Sequence, residues 1–340
     1  MMIRSKAPLR IGLAGGGTDV SPYSDLYGGA ILNATINLYA VTSILPTSNK
    51  KIKFVTNSEV LELDSTERIE VQKGFELQCG VYNRIVKQFN TGPLSFELHS
   101  YIEAPHGSGL GTSSTLMVSL LGAFVEWLKL PLGQYDIAHL AYEIERIDLQ
   151  MSGGKQDQYA ATFGGINFME FYANDKVIVN PLHLKQELQN ELEMNLLLYF
   201  TDTQRLSAQI INEQVKNVNE KNEKSVDAMH KLKEQANLMK DCLLKGELNR
   251  IGEILHFGWM NKKQMAKSIS NEQIDNIYQT ALDNGASGGK ISGAGGGGFM
   301  FFYCPNNTKS KVAAAISKLG GRIQPFQFTK EGLTTWTISE

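Results

Sequence analysis

Two glycine-rich runs, far apart in the chain, hold residues whose types and spacing could bind an anion. The first covers residues 105–114 and reads Pro-His-Gly-Ser-Gly-Leu-Gly-Thr-Ser-Ser, and the second covers residues 292–298. Glycine lets backbone amides approach a ligand closely because no Cβ blocks the path. When such a loop opens a helix, its free N–H groups and the helix dipole both favour negative charge. A phosphate group is the ligand that this chemistry predicts.

The segments around the first run predict a strand before it and a helix after it. Residues 94–102 alternate apolar with polar side chains, and apolar residues recur at every fourth position from Leu116 to Leu128. No Gly-Lys-Ser/Thr follows at Walker A spacing, and Thr112 stands where a third dinucleotide-binding glycine would be. The second run has the glycines of that fingerprint, but a β-like segment follows it. This argues against a nucleotide-binding oxidoreductase.

Three short motifs together resemble those of the GHMP kinases, a family named for galactokinase, homoserine kinase, mevalonate kinase and phosphomevalonate kinase. Residues 7–10 (Ala-Pro-Leu-Arg) with residues 15–19 look like the first motif in its sugar-kinase form. Residues 105–114 look like the second motif, which wraps the ATP phosphates. Residues 290–298 look like the third, which supports the phosphate loop and the substrate side. The correct order of all three makes the resemblance specific.

The resemblance implies ATP and Mg²⁺ as cofactors. The residues implied in ATP binding are Pro105, Gly107, Ser108, Gly109, Leu110, Gly111, Thr112, Ser113 and Ser114. Ser114 and Glu145 are the implied metal ligands, and Mg²⁺ usually takes few protein oxygens besides phosphate and water. Glu143 competes with Glu145 for this role. Residues two positions apart on a helix point to different faces, so only one of them can face the site.

The resemblance also implies a general base and a fixed cation. Asp157 lies in residues 153–159, which resemble the galactokinase-like segment ending in Asp-Gln, and it would take the proton of the attacking sugar hydroxyl. Arg10 would lie beside it, because arginine stays charged and can brace both a carboxylate and a transferring phosphoryl group. The alternatives are a first-turn acid for Asp157 and an ordinary surface arginine for Arg10.

The substrate should lie against the first motif, the segment of the base and the second glycine run. The implied substrate-binding residues are Gly16, Gly17, Thr18, Asp19, Lys155, Asp157, Arg205, Gly293, Gly295 and Gly296. Thr18 and Asp19 are expected to bind sugar hydroxyls, and the alternative for Asp19 is a cap for a helix that begins near residues 22–23. Lys155 and Arg205 are candidates for a second anion site, with a solvated surface position as the alternative for each.

Residues 4–19, with 153–165 and 289–298, look like the branch of the family that phosphorylates D-glycero-D-manno-heptose 7-phosphate. The implied reaction transfers phosphate from ATP to the anomeric hydroxyl, giving the 1,7-bisphosphate on the way to a nucleotide-activated heptose for surface polysaccharide. Gly16-Gly17 stand where galactokinases usually carry Glu-His, which disfavours galactose itself. A C1 kinase for a free sugar such as fucose or galactose, or a catalytically silent sugar sensor, remain the alternatives.

Composition limits the partners. The 340 residues carry a net charge of −2, which argues against nucleic acid as the main partner. The three cysteines lack C-x-x-C spacing and fit small buried side chains in a reducing cytoplasm. Neither a signal peptide nor a membrane span is expected from the apolar segments. A sugar phosphate and ATP are therefore the expected partners, with a homodimer as the one protein assembly considered.

The order of the predicted elements is α+β. The resemblance implies an N-terminal ATP-binding domain over residues 1–180, like a ribosomal-protein α+β fold, and a ferredoxin-like C-terminal domain over residues 181–340. The active site would lie in the cleft between the domains. Periodicity further predicts one helix over residues 134–147, a long helical region over 207–245 and a strand over 323–328.

Overall fold

The computed structural model describes residues 1–57, 59–105, 107–203 and 207–339. Its strands form one sheet of eight strands and a second sheet of four. In chain order the strands are β1 (Met2–Ala14), β2 (Gly29–Pro46), β3 (Lys51–Val55), β4 (Val60–Asp64), β5 (Phe96–Ile102), β6 (Ile166–Phe171), β7 (Val177–Pro181), β8 (Leu196–Phe200), β9 (Gly288–Ile291), β10 (Phe299–Tyr303), β11 (Arg322–Ile323) and β12 (Thr334–Ile338).

Helices cover both sheets. In chain order they are α1 (Tyr23–Tyr27), α2 (Glu76–Phe89), α3 (Thr112–Leu128), α4 (Gln134–Glu143), α5 (Gln156–Phe163), α6 (Gln186–Asn195), α7 (Ser207–Asn219), α8 (Glu223–Lys245), α9 (Ile251–Lys262), α10 (Glu272–Asp283) and α11 (Lys309–Ile316). A π-helical turn, Ile144–Asp148, follows α4, and short 3-10 turns lie at Leu248–Arg250, Lys267–Ile269 and Ser317–Leu319. None of the described helices is long and apolar enough to cross a membrane.

The larger sheet is organised around the long antiparallel strands β1 and β2. Its main order is β12-β1-β2-β5-β3-β4, while β6 pairs with the first half of β2 and then with β7. Helix α3 packs on β1 and β2, and its residues 114–124 are all buried. A helix that is buried on nearly every side belongs to the centre of a domain. The N-terminal end of α3 is therefore held rigidly.

The smaller sheet has the ferredoxin-like arrangement. Its strands follow a β-α-β-β-α-β order along the chain, with α7 to α10 in the first crossover and α11 in the second. The spatial order is β11-β8-β10-β9 and all three pairs are antiparallel. The predicted α+β fold with two sheets is confirmed. The boundary near residue 180 stays a prediction, since β12 comes from the far end of the chain yet pairs with β1.

Three predicted elements need correction. The helix over 134–147 ends at Glu143 and continues as the π-helical turn. The helical region over 207–245 is two helices, because Asn222 caps α8 by accepting the Ser225 amide. The predicted strand over 323–328 stops at Ile323, shortly before Pro325, which has no amide to donate. The three cysteines are buried and unpaired, as expected.

Candidate active site

The first glycine run folds as the loop that opens α3. Gly107, Gly109 and Gly111 have φ angles of +69°, +78° and +77°, a region in which glycine avoids the Cβ penalty. The first amides of the helix, from Thr112 to Ser114, have no acceptor among the described residues. The loop therefore presents N–H donors at the positive end of a helix dipole. This is the geometry that a phosphate cradle requires.

The two glycine runs pack against each other, backbone to backbone. A Cβ on Gly293 would lie 2.8 Å from Gly109 Cα, and a Cβ on Gly109 would overlap the Ser292 carbonyl oxygen. The Ser292 hydroxyl donates to Gly109 O at 2.9 Å, and the Phe299 amide donates to Ser108 O at 2.8 Å. Only residues without side chains allow this approach. The second run thus supports the first.

Arg10 and Asp157 form an ion pair beside this loop. Arg10 lies at an irregularity in the β1–β2 pairing, and Asp157 lies in the first turn of α5. Arg10 Nε and Nη2 both reach Asp157 Oδ1 at 2.7 Å, while Nη1 donates to Gly109 O at 2.5 Å. The side chain of Arg10 is 4% exposed and that of Asp157 is 20% exposed. The guanidinium therefore ties the carboxylate to the loop.

The second carboxylate oxygen of Asp157 faces the loop. Asp157 Oδ2 lies 3.2 Å from the position that a Cβ on Gly111 would take. Within the described ranges no donor forms a hydrogen bond to this oxygen. One oxygen is held by arginine while the other can accept a proton. A general base needs such an oxygen within reach of the substrate hydroxyl.

Ser114 and Glu145 converge on the side-chain amide of Gln158. Gln158 Nε2 donates to Ser114 Oγ at 3.1 Å and to Glu145 Oε2 at 2.5 Å, and the Ser113 hydroxyl donates to Glu145 Oε1 at 3.0 Å. A hydroxyl and a carboxylate are oxygen donors of the kind that Mg²⁺ prefers. No group of three or more metal-binding side chains occurs in the described part of the chain. These two residues fit an ion that takes its other ligands from phosphate and water.

The π-helical turn separates Glu145 from its competitor. The Leu149 amide donates to Ile144 O at 2.9 Å, a widened turn of the kind often found at functional sites. Glu145 is fully buried, whereas Glu143 pairs with Arg84 at 2.9 Å away from the loop. Only Glu145 points toward Ser114. Its metal-binding role stays a prediction.

Arg146 is a cation at this site that the sequence interpretation missed. Its Nη2 donates to Ser114 Oγ at 3.3 Å, and its Nη1 lies 3.7 Å from Glu145 Oε1. Its Nε donates to Gly154 O at 3.4 Å. The one signal in the sequence for a role of Arg146 was its position directly after Glu145. Helical periodicity alone did not predict that the side chains of both residues turn inward.

Asp19 holds the helix that carries the base. Its Oδ2 accepts the backbone amides of Lys155 at 2.8 Å and Gln156 at 3.0 Å, at the start of α5. Burial raises the pKa of the Asp19 carboxyl. The hydrogen bond from the Gln156 amide opposes this rise, and the nearby charge of Asp157 adds to it. The alternative of a cap for the helix at residues 22–23 is wrong, because α1 has no side-chain cap; Asp19 instead accepts amides at the start of α5, a helix distant in the sequence. Binding of a sugar hydroxyl by its other oxygen stays a prediction.

Thr18 does not offer its hydroxyl to a substrate, which corrects the sequence prediction. Thr18 Oγ1 donates to Gly15 O at 2.9 Å and Ala30 O at 3.0 Å and accepts the Ala30 amide at 3.1 Å. The residue is fully buried. Because its donor and an acceptor position are used by the backbone, Thr18 shapes the turn of residues 15–19.

Lys155 is also placed differently from the prediction. Its Nζ lies 2.7 Å from Asp175 Oδ1 and 3.6 Å from Asp25 Oδ1. Two carboxylates offset its charge and would repel a phosphate there, so Lys155 is not a free anion ligand. Arg205, the other candidate, lies outside the described residues.

The last glycines of the second run contact a neighbouring turn. The Gly296 amide donates to Ile269 O at 2.8 Å, and a Cβ on Gly295 would lie 3.0 Å from Ile269 Cα. The Gly296 amide is thus not free to contact a substrate, which corrects the prediction for that group. Gly295 allows the backbone to approach Ile269 closely. Gly293 is the member of the run nearest the site, since its carbonyl accepts the Lys262 ammonium at 2.6 Å.

A cavity of about 220 Å³ opens beside Asp19. We call it the Asp19 cavity. Its lining includes Asp19, Tyr142, Arg146, Ser152 and Asn212, so it lies between the first motif, the π-helical turn and α7. A larger cavity of about 1010 Å³ lies against α2 and shares none of these residues. The Asp19 cavity could hold a small molecule beside Asp19, although Asp157 is not among its lining residues.

Comparison with known proteins agrees with this geometry. Family models described as the GHMP kinases N terminal domain and GHMP kinases C terminal match residues 76–165 and 239–322. D-glycero-alpha-D-manno-heptose 7-phosphate kinase of Campylobacter jejuni is 49% identical over 339 residues, which cover 99% of each chain. A crystal structure described as a D-glycero-D-manno-heptose 1-phosphate kinase from Bacteroides thetaiotaomicron has a TM-score of 0.86 and 45% identity, covering 99% of this chain and 100% of that chain.

A more distant structure shares the fold alone. The galactokinase of Lactococcus lactis, solved with galactose, has a TM-score of 0.78 and 18% identity, covering 98% of this chain and 95% of that chain. The full-length similarity and the two family matches agree with the three motifs, and they imply ATP as the phosphoryl donor. This chain belongs to the GHMP kinase family.

Proposed function

We propose that this chain is an ATP-dependent sugar kinase that phosphorylates the anomeric hydroxyl of D-glycero-D-manno-heptose 7-phosphate, giving the 1,7-bisphosphate. The observation that carries the proposal is the 49% identity, over 99% of both chains, to a relative with that named activity. The glycines at positions 16 and 17, in place of the Glu-His pair of galactokinases, also argue against galactose. The product would enter nucleotide-activated heptose synthesis for surface polysaccharide.

The nucleotide phosphates would bind at the start of α3. The amides between Thr112 and Ser114 and the positive end of the helix dipole supply the donors. The second glycine run fixes this loop through the Ser292–Gly109 hydrogen bond. Phosphoryl transfer depends mostly on such positioning and charge stabilisation. The full set of nucleotide ligands from Pro105 to Ser114 stays part of the proposal.

Asp157 would act as the base. Its Oδ2 takes the proton of the sugar hydroxyl, whose oxygen forms the new bond to the γ-phosphorus while the bond to the β–γ bridging oxygen breaks and ADP leaves. Arg10 holds Oδ1 and contributes positive charge beside the transferred group. Asp19 is a positioning residue, because it caps the helix that carries Asp157. The sugar would occupy the Asp19 cavity.

Mg²⁺ would be held by Ser114 and Glu145. When bound, the ion neutralises charge on the phosphate oxygens. Gln158 and Ser113 orient the Glu145 carboxylate through their hydrogen bonds. Arg146 would add a second positive charge next to Ser114.

One observation favours a second acceptor. The Bacteroides structure is described as a heptose 1-phosphate kinase, and transfer to the C7 hydroxyl of a heptose 1-phosphate would yield the same bisphosphate. A free-sugar kinase and a silent sugar sensor are the remaining candidates. The intact set of Arg10, Ser114, Glu145 and Asp157 argues against the sensor.

The test is ADP release with Mg-ATP against a panel of acceptors. The panel contains D-glycero-D-manno-heptose 7-phosphate, the corresponding 1-phosphate, mannose 6-phosphate, galactose and fucose. Turnover on the 7-phosphate, reduced roughly 10²- to 10⁴-fold in Asp157→Asn, is the expected result. Turnover on the 1-phosphate or on a free hexose instead would overturn the acceptor. ATP binding without turnover on any acceptor would favour the sensor.

Two further assignments belong to this proposal. The first is a division into residues 1–180 and 181–340, with β12 returning to the first sheet. The second is a homodimer, which sedimentation velocity would test by giving twice the chain mass.

A further inference from the structure

Two lysines reach the interior from different elements and meet near the first motif. Lys262 ends α9 and Lys290 lies in β9, and they are only 2% and 3% exposed. Lys262 Nζ donates to Gly293 O at 2.6 Å, and Lys290 Nζ donates to Gly12 O at 2.8 Å. Among residues 1–57, 59–105, 107–203 and 207–339, no carboxylate forms an ion pair with either ammonium. Each ammonium therefore has donors beyond its one carbonyl partner.

Such a pair is costly unless it serves a ligand. Burying a cation without an opposite charge is unfavourable, and two neighbouring cations repel each other. Burial lowers the pKa of Lys262 to about 8; the charge of Arg10 lowers it further, and the charge of Asp19 only partly opposes this. Burial, with the charges of Lys262 and Arg10, lowers the pKa of Lys290 well below its ordinary value. Aligned positive charge in a cleft is typical of a site that binds an anion.

Gly16 leaves room in front of both ammonium groups. A Cβ on Gly16 would lie 3.4 Å from Lys262 Nζ and 3.7 Å from Lys290 Nζ. Its neighbours Gly15 and Gly17 have φ angles of +78° and +105°, but Gly16 is not among the residues with positive φ. The backbone therefore does not demand glycine at this position. The space that a side chain would occupy is what glycine preserves.

We propose that Lys262, Lys290 and the Gly16 turn bind the phosphate group that the sugar substrate already carries. The inference rests on the proposed function, because it assigns the distal phosphate of that acceptor. It replaces Lys155, whose charge two carboxylates already offset. The amides at the start of α3 supply separate donors for the nucleotide phosphates. The γ-phosphate of ATP has the same chemistry, so the experiment must distinguish the two sources.

The variants Lys262→Met and Lys290→Met remove each charge and keep most of the side-chain length. We expect each to raise KM for D-glycero-D-manno-heptose 7-phosphate by roughly 10- to 100-fold, because each removes a charge-assisted hydrogen bond to the phosphate group. KM for Mg-ATP should stay within about twofold. Lys263→Met is the matched control, since Lys263 pairs with Asp275 at 3.2 Å on the surface and should leave both constants unchanged.

Gly16→Ala tests the same site without removing a charge. The added methyl group occupies the space before both ammonium groups at ordinary contact distances, so the protein should fold. KM for the sugar phosphate should rise at least about tenfold. The melting temperature of each variant shows whether it folds. If a methionine variant does not fold, Gly16→Ala still tests the inference.

The possible results separate the two proposals. A rise in KM for Mg-ATP with the sugar constant unchanged would assign the lysines to the nucleotide and overturn the inference, as would no change in either constant. If the wild type phosphorylates no heptose phosphate, the proposed function fails by itself. Calorimetric titration with inorganic phosphate then decides the site. Weaker binding by Lys262→Met than by Lys263→Met supports it, and equal binding overturns it.

Discussion

Replacing Asp157 with asparagine should remove the proton acceptor and keep the shape of the side chain. In Asp157→Asn the amide oxygen can still accept from Arg10 Nε and Nη2, which lie 2.7 Å from Oδ1. The NH₂ group would take the place of Oδ2 near Gly111, where it cannot accept a proton. A general base contributes roughly 10²- to 10⁴-fold, or about 3–5 kcal/mol of activation free energy. We expect kcat to fall by that factor.

Stability should change much less than the rate. The Asp157 side chain is 20% exposed and that of Arg10 is 4% exposed, so the ion pair is not wholly removed from water. Replacing it by a hydrogen bond to a neutral amide should lower the free energy of unfolding by about 1–2 kcal/mol. Urea unfolding of wild type and variant measures this difference. A folded protein with a large loss of kcat therefore isolates the chemical role.

The assay is steady-state ADP release with Mg-ATP and the heptose 7-phosphate. Asp148→Asn is the matched control, because Asp148 accepts Arg84 Nε and Nη2 at 2.7 Å each, outside the site. It should lose a similar stability and keep its kcat. If Asp157→Asn retains kcat within about tenfold of the wild type, the base assignment is wrong. If kcat falls equally in Asp157→Asn and Asp148→Asn, the loss of kcat reflects the lower stability of the variants and not the loss of a base.

Three more predictions follow from the packing, the buried charge and the metal ligands. Gly109→Ala should abolish activity and lower the free energy of unfolding by about 2 kcal/mol or more, because its φ is +78° and the Cβ would overlap a backbone carbonyl. Gly92→Ala, at φ +67° in open space, should cost only about 1 kcal/mol, and equal losses in urea unfolding would contradict the packing argument. Burial lowers the pKa of Lys262 from 10.5 to about 8, so between these pH values the unfolded chain binds more protons than the folded one. As the pH rises from about 8 to about 10.5, the free energy of unfolding of the wild type should therefore increase by up to about 3 kcal/mol relative to that of Lys262→Met. A pH-independent difference in unfolding free energy would refute this. Glu145→Gln should raise the Mg²⁺ concentration for half-maximal activity at least about tenfold, whereas Glu143→Gln should not change it; the same Mg²⁺ dependence in both variants would remove Glu145 from the metal site.

Local chemistry was the predictable part of the site. The glycines before Thr112 and the helical periodicity after it predicted a loop that opens a helix, and α3 begins at Thr112. The contact of the second run with the first, and of Arg10 with Asp157, followed from the family resemblance. Both are present, at Gly109–Gly293 and at 2.7 Å between the charged atoms.

Long-range neighbours were the unpredictable part. Thr18 is a plausible sugar ligand by type, yet its hydroxyl is used by Ala30 and Gly15. Lys155 is a plausible phosphate ligand until Asp175 is seen at 2.7 Å. Lys262 carries no signal in a helical pattern, because a lysine at a helix end is usually solvated. Each outcome depends on a partner that the chain brings close only when it folds.

The amino-acid sequence by itself determined the glycine-rich loop that opens α3 and the α+β class, because glycine conformations and apolar periodicity act over a few neighbouring residues. The three motifs in order indicated the family and, through it, the two sheets. The tertiary structure decided which charges are available to a substrate. Asp19 became a helix cap and Lys155 an ion-pair partner, while Lys262 and Lys290 were left facing Gly16. The physical reason is that the cost of a buried charge is set by the groups within a few ångströms of it, and these come from distant parts of the chain.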